Sequence, residues 1–225
     1  MTRGTLSHAM PRFPDPGARP PAYHPAEEFL LDYAAGATSP AETLLLATHL
    51  AYCEACRRVV KTARTAGGAL LDLLEPSRLP PNMLNRTLAA IDAGVKDEPP
   101  PPPPLSTLLA RHMAHPHWKR LPNGFRMRRI PGQEGRGRAW LFDAPPNLKL
   151  LPHRHVGDEW TVILSGVFHD GDRAYQVGDF GVRQDGEEHQ PFIGPEGRCV
   201  SLIMVRESPR YTTTIGRFAA PFVRL

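Results

Sequence analysis

Six consecutive prolines, Pro99–Pro104, cut this chain of 225 residues at a point that no helix or sheet can cross. Proline lacks a backbone N–H and its ring fixes φ. A run of six therefore favours an extended polyproline II spacer, about 3.1 Å per residue. The chain is expected to form two folded units held apart by a linker at 96–105. A cluster of metal-ligating residues stands on each side, and the two differ in chemistry. Before the prolines comes His49-x3-Cys53-x2-Cys56, with His24 upstream. After them comes His153-x-His155-x3-Glu159-x6-Gly166, with His189 downstream. Two thiolates point to a structural zinc, whereas imidazoles with one carboxylate point to a more open site.

Residues 1–21 are rich in Pro, Gly and Arg and are expected to be a disordered leader. The leader has no apolar h-region, and nothing approaches the roughly 20 apolar residues needed to span a bilayer. The expected compartment is the cytoplasm. Only three cysteines are present, two of them in CxxC. That argues against a disulfide framework and for metal chemistry. Cys199, inside the apolar run CVSLIMV, reads as a buried small residue. The net charge of +4 is too small, and too poorly interleaved with aromatic residues, to predict direct nucleic-acid binding. Arg57, Arg58, Lys61 and Arg64 read as a solvated helix face, or as a contact for an acidic protein patch.

Residues 22–95 carry helical periodicity. Phe29, Leu30 and Tyr33 share one side of a helix over 27–35, with Gly36 as its C-cap. Ser39-Pro40-Ala41-Glu42 is an N-cap signature that opens a second helix, running to about Tyr52. A third is expected from Glu54 to Leu74, ended by Glu75-Pro76. A fourth, over 81–93 and stopped by Gly94, places Leu84, Leu88 and Ile91 on one face. Three short helices bury little apolar surface, so a metal or partner is physically expected. The fourth helix is set off by prolines, and its apolar face is available to a partner.

His49 and Cys53 are four apart near a helix end and so share a face. Cys56 follows at the spacing of two thiolates chelating one zinc, at a helix start expected to favour its thiolate. A tetrahedral site needs a fourth ligand. His24 is the best placed, and His8 is the alternative. These residues resemble the zinc-binding anti-sigma domain. The resemblance implies a helical unit that wraps an extracytoplasmic-function sigma factor and blocks its access to core RNA polymerase.

Past residue 105 the pattern changes to short strands punctuated by Gly and Pro. Strands are expected at 125–130, 139–143, 148–151, 159–164, 167–169, 173–177, 179–182, 200–205 and 211–215, forming an all-β sandwich or barrel over 106–225. His153 and His155 lie on one side of a strand, since side chains alternate. Glu159 and His189 complete a set suited to Zn²⁺, Mn²⁺, Fe²⁺ or Ni²⁺. HxH-x3-E-x6-G followed by His189 resembles the cupin motif pair. Gln176 and Ile193 stand where that family usually has proline and asparagine. His112, His115, His117 and His169 are expected at the surface, and Trp160 in the core or a pocket wall.

The fold class is thus α plus β: a zinc-bound helical domain of three helices plus a fourth, then an all-β cupin barrel. That order resembles the ChrR family of anti-sigma factors. The resemblance implies sequestration of a sigma factor and its release under oxidative stress such as singlet oxygen, with the cupin needed for release. It also implies zinc at His24, His49, Cys53 and Cys56, a second metal at His153, His155, Glu159 and His189, no catalytic residues, and sigma-factor contact at Leu84, Leu88 and Ile91. An alternative reading is a metal-dependent dioxygenase or isomerase with an accessory zinc domain.

Overall fold

The computed structural model describes residues 17–93, 105–132, 135–214 and 216. The leader up to residue 16, the stop at Gly94 and the proline run lie outside them. Five helices come first: α1 (Glu27–Ala35), α2 (Pro40–Tyr52), α3 (Glu54–Asp72), α4 (Met83–Asp92) and α5 (Leu105–Ala114). Eleven strands follow: β1 (Lys119–Arg120), β2 (Arg126–Arg129), β3 (Arg138–Ala144), β4 (His153–Arg154), β5 (Glu159–Ser165), β6 (Phe168–Asp170), β7 (Arg173–Tyr175), β8 (Phe180–Arg183), β9 (Glu188–His189), β10 (Cys199–Val205) and β11 (Arg210–Tyr211).

Local chemistry sets the first helices as expected. Gly36 takes the left-handed conformation at φ 72° and ends α1. Ser39 and Glu42 form a reciprocal capping box at the start of α2, with Pro40 at its first position. Cys53 ends α2 and caps α3, its sulfur accepting from the Cys56 amide.

The strands form a six-stranded sheet ordered β1-β2-β3-β10-β5-β8, a three-stranded sheet β11-β4-β9 and the hairpin β6-β7. Residues 148–151 form no strand, and Lys149 makes only an isolated bridge to Phe192. Leu105–Ala114, where strands and turns were expected, is helical. It buries Leu109 and Met113, and His112 shares that face and is buried with them, not exposed. His169 is half-buried and stacked on Phe192 at 4.7 Å.

The two halves are not held apart. Alternate residues of β10 divide between two cores. Cys199, Ile203 and Val205 face the barrel interior with Phe125, Phe142 and Phe168. Leu202 and Met204 face outward and join Leu45 and Leu46 of α2, Leu30 of α1 and Leu109 of α5. β5 divides likewise, with Ile163 inward and Trp160 and Val162 outward. Phe29 of α1 stacks against Trp160 at 4.5 Å. Arg206 joins Glu42 at 3.0 Å across the same junction. The physical reason is the sheet's second apolar face. The helices bury it, as both faces of a sheet between layers are buried in other folds.

Leu45 is fully buried in this joint core. Leu45→Ala is expected to cost about 2–5 kcal/mol. Both halves should still melt in one transition, because they share the cavity created. Circular dichroism and Trp160 fluorescence followed together check this, and two separated transitions would contradict the shared core.

Candidate metal centres

The first centre is assembled by three elements. His24 precedes α1, His49 sits in the last turns of α2, Cys53 is the α2–α3 junction and Cys56 lies in the first turn of α3. Their ligand atoms all lie within 4.8 Å of one another. His49 Nε2 is 3.3 Å from Cys56 Sγ, and His24 Nδ1 is 3.4 Å from Cys53 Sγ and 3.5 Å from Cys56 Sγ. A tetrahedron with zinc bonds of about 2.0–2.3 Å has edges of about 3.5 Å, so the four residues fit zinc. Sequence spacing thus finds all four residues of this cluster.

Burial, followed by the neighbouring Cys53 sulfur, pushes the Cys56 thiol up to about 12. The expectation that the helix start lowers it is corrected, because desolvation of the thiolate outweighs the helix terminus here. A dication is what would hold both sulfurs as thiolates. Burial also lowers His49 to about 4, only partly offset by its bond to the Gly178 carbonyl. His49 is thereby kept neutral, as a metal ligand must be.

The barrel reaches into this centre through the turn between β7 and β8. His49 Nδ1 donates to the Gly178 carbonyl at 2.7 Å, which leaves Nε2 with its lone pair toward the sulfurs. Gly178 has φ 87°, and a Cβ there would lie 2.8 Å from Tyr52 Cβ. Only glycine suits that combination of conformation and close approach. Next to it, Asp179 is fully buried. Its carboxylate accepts from Ala22 N at 2.6 Å, Tyr23 N at 3.2 Å, Gln176 N at 2.8 Å and Arg19 Nη2 at 2.8 Å. Residues 19–23 are therefore seated on the barrel, and His24 follows them directly. That placement shortens the leader inferred from composition.

The second centre lies inside the barrel. β4 pairs with β9 so that His153 and His189 stand directly opposite. His189 Nε2 is 3.0 Å from His153 Nε2 and 2.9 Å from His155 Nε2. His153 Nδ1 donates to the Leu151 carbonyl at 2.8 Å and His189 Nδ1 to Asp170 at 2.9 Å. Both outer nitrogens then carry the protons, and two Nε2 lone pairs meet at 3.0 Å. A cation between them resolves that repulsion, so the imidazoles fit a metal. Burial lowers His153 to about 4 and His155 to about 3, with neighbouring imidazoles lowering each further.

Glu159 is not gathered into the three-imidazole cluster. Its carboxylate lies 3.8 Å from His155 Nδ1, on the far side of that ring. Burial raises it to about 7. Asp170, which sequence reasoning missed, supports His189 from behind. Burial alone would raise its carboxyl, but hydrogen bonds from His189 and Arg183 outweigh this and hold it below the usual range. Arg183 Nε donates to Asp170 at 2.8 Å. Tyr211 is also new to the site. It pairs with His153 across β11 and β4, and burial followed by nearby Glu159 pushes its hydroxyl up to about 12. Neither residue carries a spacing signal, because Tyr211 is placed by pairing between distant strands and Asp170 by a side-chain bond 19 positions along the chain.

A family model described as the ChrR Cupin-like domain matches residues 107–209, and a zinc-finger family model matches residues 25–57. Anti-sigma-E factor ChrR of Cereibacter sphaeroides is 28% identical over 210 residues, spanning 90% of this chain and 98% of that protein. The crystal structure of Rhodobacter sphaeroides SigE in complex with the anti-sigma ChrR matches with a TM-score of 0.70 at 30% identity. That match covers 81% of this chain and 98% of the solved one.

Proposed function

We propose that this chain, which belongs to the ChrR family of anti-sigma factors, sequesters an extracytoplasmic-function sigma factor with its helices and releases it under oxidative stress such as singlet oxygen. The observation that carries the reading is where apolar surface lies. Of ten exposed large apolar residues among those described, nine fall between Leu70 and Ile91, in the end of α3, the connection and α4. Leu84 is 69% exposed and Ile91 65%. Exposed apolar residues concentrated in one stretch of chain mark a binding segment, and an amphipathic helix offers them to a complementary groove. The solved SigE complex of a similar chain supports the choice of partner.

In this reading zinc at His24, His49, Cys53 and Cys56 fixes the relative placement of α1, α2 and α3. A second divalent metal, Zn or one such as Mn, Fe or Ni, binds His153, His155 and His189, with Glu159 as the carboxylate within reach. The protein acts in the cytoplasm, where sigma factors meet the polymerase, with no direct contact to nucleic acid. No described helix is long and apolar enough to cross a membrane.

The barrel is the receiving unit, and a continuous set of contacts links its metal cluster to the zinc cluster. His189 bonds Asp170, Asp170 bonds Arg183 on β8, and β8 begins directly after Asp179. Gly178 and Asp179 then hold His49 and the segment carrying His24. Shifting a bound population from 99:1 to 1:99 takes about 5.5 kcal/mol. Loss of a structural zinc, on the order of 10 kcal/mol, is large enough.

Co-expression of the full chain with the sigma factor encoded beside it tests the reading. A stable complex is expected. Leu84→Asp with Leu88→Asp should weaken it by about 30-fold or more for each residue that acts as a hot spot, about 2 kcal/mol. Zinc content should stay unchanged, since neither side chain is buried. Undiminished co-purification of that variant would sink the assignment of this face. The enzyme alternative draws on the three imidazoles that open into the barrel. Dioxygen-dependent turnover by the full chain would favour it.

A further inference from the structure

The barrel encloses a cavity of ≈ 570 Å³. That is within the usual size of small-ligand sites, about 300–1,000 Å³. Its lining is mixed. His153 and Glu159 are buried, Phe142, Phe168 and Ile203 form buried apolar walls, and Tyr211 sits beside His153. At the rim stand Lys119, Arg120 and Lys149, all exposed. Among the described residues, none of these three cations has an ion-pair partner. Among the described residues, the only carboxylate lining the cavity is Glu159, which is buried whereas the three cations are exposed.

Three like charges around one opening repel one another and attract an anion. The buried walls offer nothing to a charge and much to hydrocarbon. A fully polar ligand such as a sugar or phosphate would leave the groups between Phe142, Phe168 and Ile203 unpaired. A fully apolar one would leave the cations without a partner.

We propose that this cavity binds an amphipathic monoanion, a carboxylate with an aliphatic or aromatic body. The carboxylate meets Lys119, Arg120 and Lys149. The body lies between Phe142, Phe168 and Ile203 and brings its far end to the His153 imidazole. Such a ligand touches the metal-ligating cluster without having to supply a ligand itself. The proposal goes beyond the assigned function and is read separately from it, since sigma-factor binding can be scored in the same preparation.

The test is calorimetric titration of the full chain with decanoate and, separately, with 1-decanol. Decanoate should bind saturably at one per chain. Decanol, with the same chain and no charge, should bind about tenfold more weakly or less. Raising the salt should weaken decanoate and leave decanol unchanged, because only the exposed charge contact is screened. Lys119→Glu with Arg120→Glu should lower decanoate affinity about tenfold or more. Lys149→Glu, on a separate segment, provides an independent check should the β1 variant misfold. Three results would each overturn the proposal: no saturable decanoate binding, equal binding of decanol, or an affinity indifferent to both charge reversals. The last would mean that the carboxylate points to buried His153 instead.

Discussion

Full-length protein carrying Cys53→Ala with Cys56→Ala should lose the zinc held by its helical half and should no longer co-purify with a sigma factor. Both sulfurs lie in the four-residue cluster, and two imidazoles alone make a weak site. Structural zinc is worth about 10–16 kcal/mol in small metal-dependent units. That matches or exceeds the whole stability of an ordinary domain, about 5–15 kcal/mol. The effect should spread past the helices. Trp160, Val162 and Met204 are buried against them, so loosening α1–α3 uncovers the outer face of the sheet. Metal analysis, co-purification and dye binding to exposed apolar surface check the three parts. A variant that kept full zinc occupancy would show that the cluster is not the metal site.

Asp179→Ala is the second large expected effect. The wild-type carboxylate is fully buried and acceptable there only because four donors surround it. Removing it leaves the amides of Ala22, Tyr23 and Gln176 without their acceptor, whereas the Arg19 guanidinium is partly exposed and keeps its bonds to Gln176 and Pro20. Leaving partly buried donors without an acceptor in this way costs about 1–3 kcal/mol. The segment that carries His24 then loses its anchor, and zinc affinity should fall about 10–100-fold, as for other groups that orient a ligand. Asp179→Asn, which keeps one acceptor oxygen and adds a donor facing other donors, should fall between the two. Chemical denaturation reads the first effect and competition with a zinc chelator the second. Lower stability with unchanged zinc affinity would reduce Asp179 to a structural bond and break the proposed link between barrel and zinc.

Some of this was plain in the residues. Gly36, the Ser39-Pro40-Glu42 cap and the Cys53 junction are signals within one or two turns of backbone, and the helices begin and end at them. His153, His155 and His189 were found by their motif, although β4 and β9 are only two residues long. α5 was missed although Leu105, Leu108, Leu109 and Met113 keep helical spacing, because the adjoining prolines drew the boundary there. The joint core also left a trace. CVSLIMV carries apolar residues on both parities, whereas a sheet with one wet face would alternate.

The sequence by itself picked out the His24, His49, Cys53 and Cys56 cluster and the three imidazoles His153, His155 and His189, the helices that carry the first and the strand-rich barrel that carries the second. All of these depend on spacings of a few residues. Only the tertiary structure decided that the halves flanking Pro99–Pro104 form one packed body. It also decided that Gly178 and Asp179 of the barrel hold the helical metal cluster, that Asp170 stands behind His189, and that Glu159 lies beside His155 outside the three-imidazole cluster. These include pairings between residues 160 positions apart, as with Arg19 and Asp179. No local pattern encodes such a pairing. It follows from which apolar faces must leave water and from which buried polar atoms must then find partners.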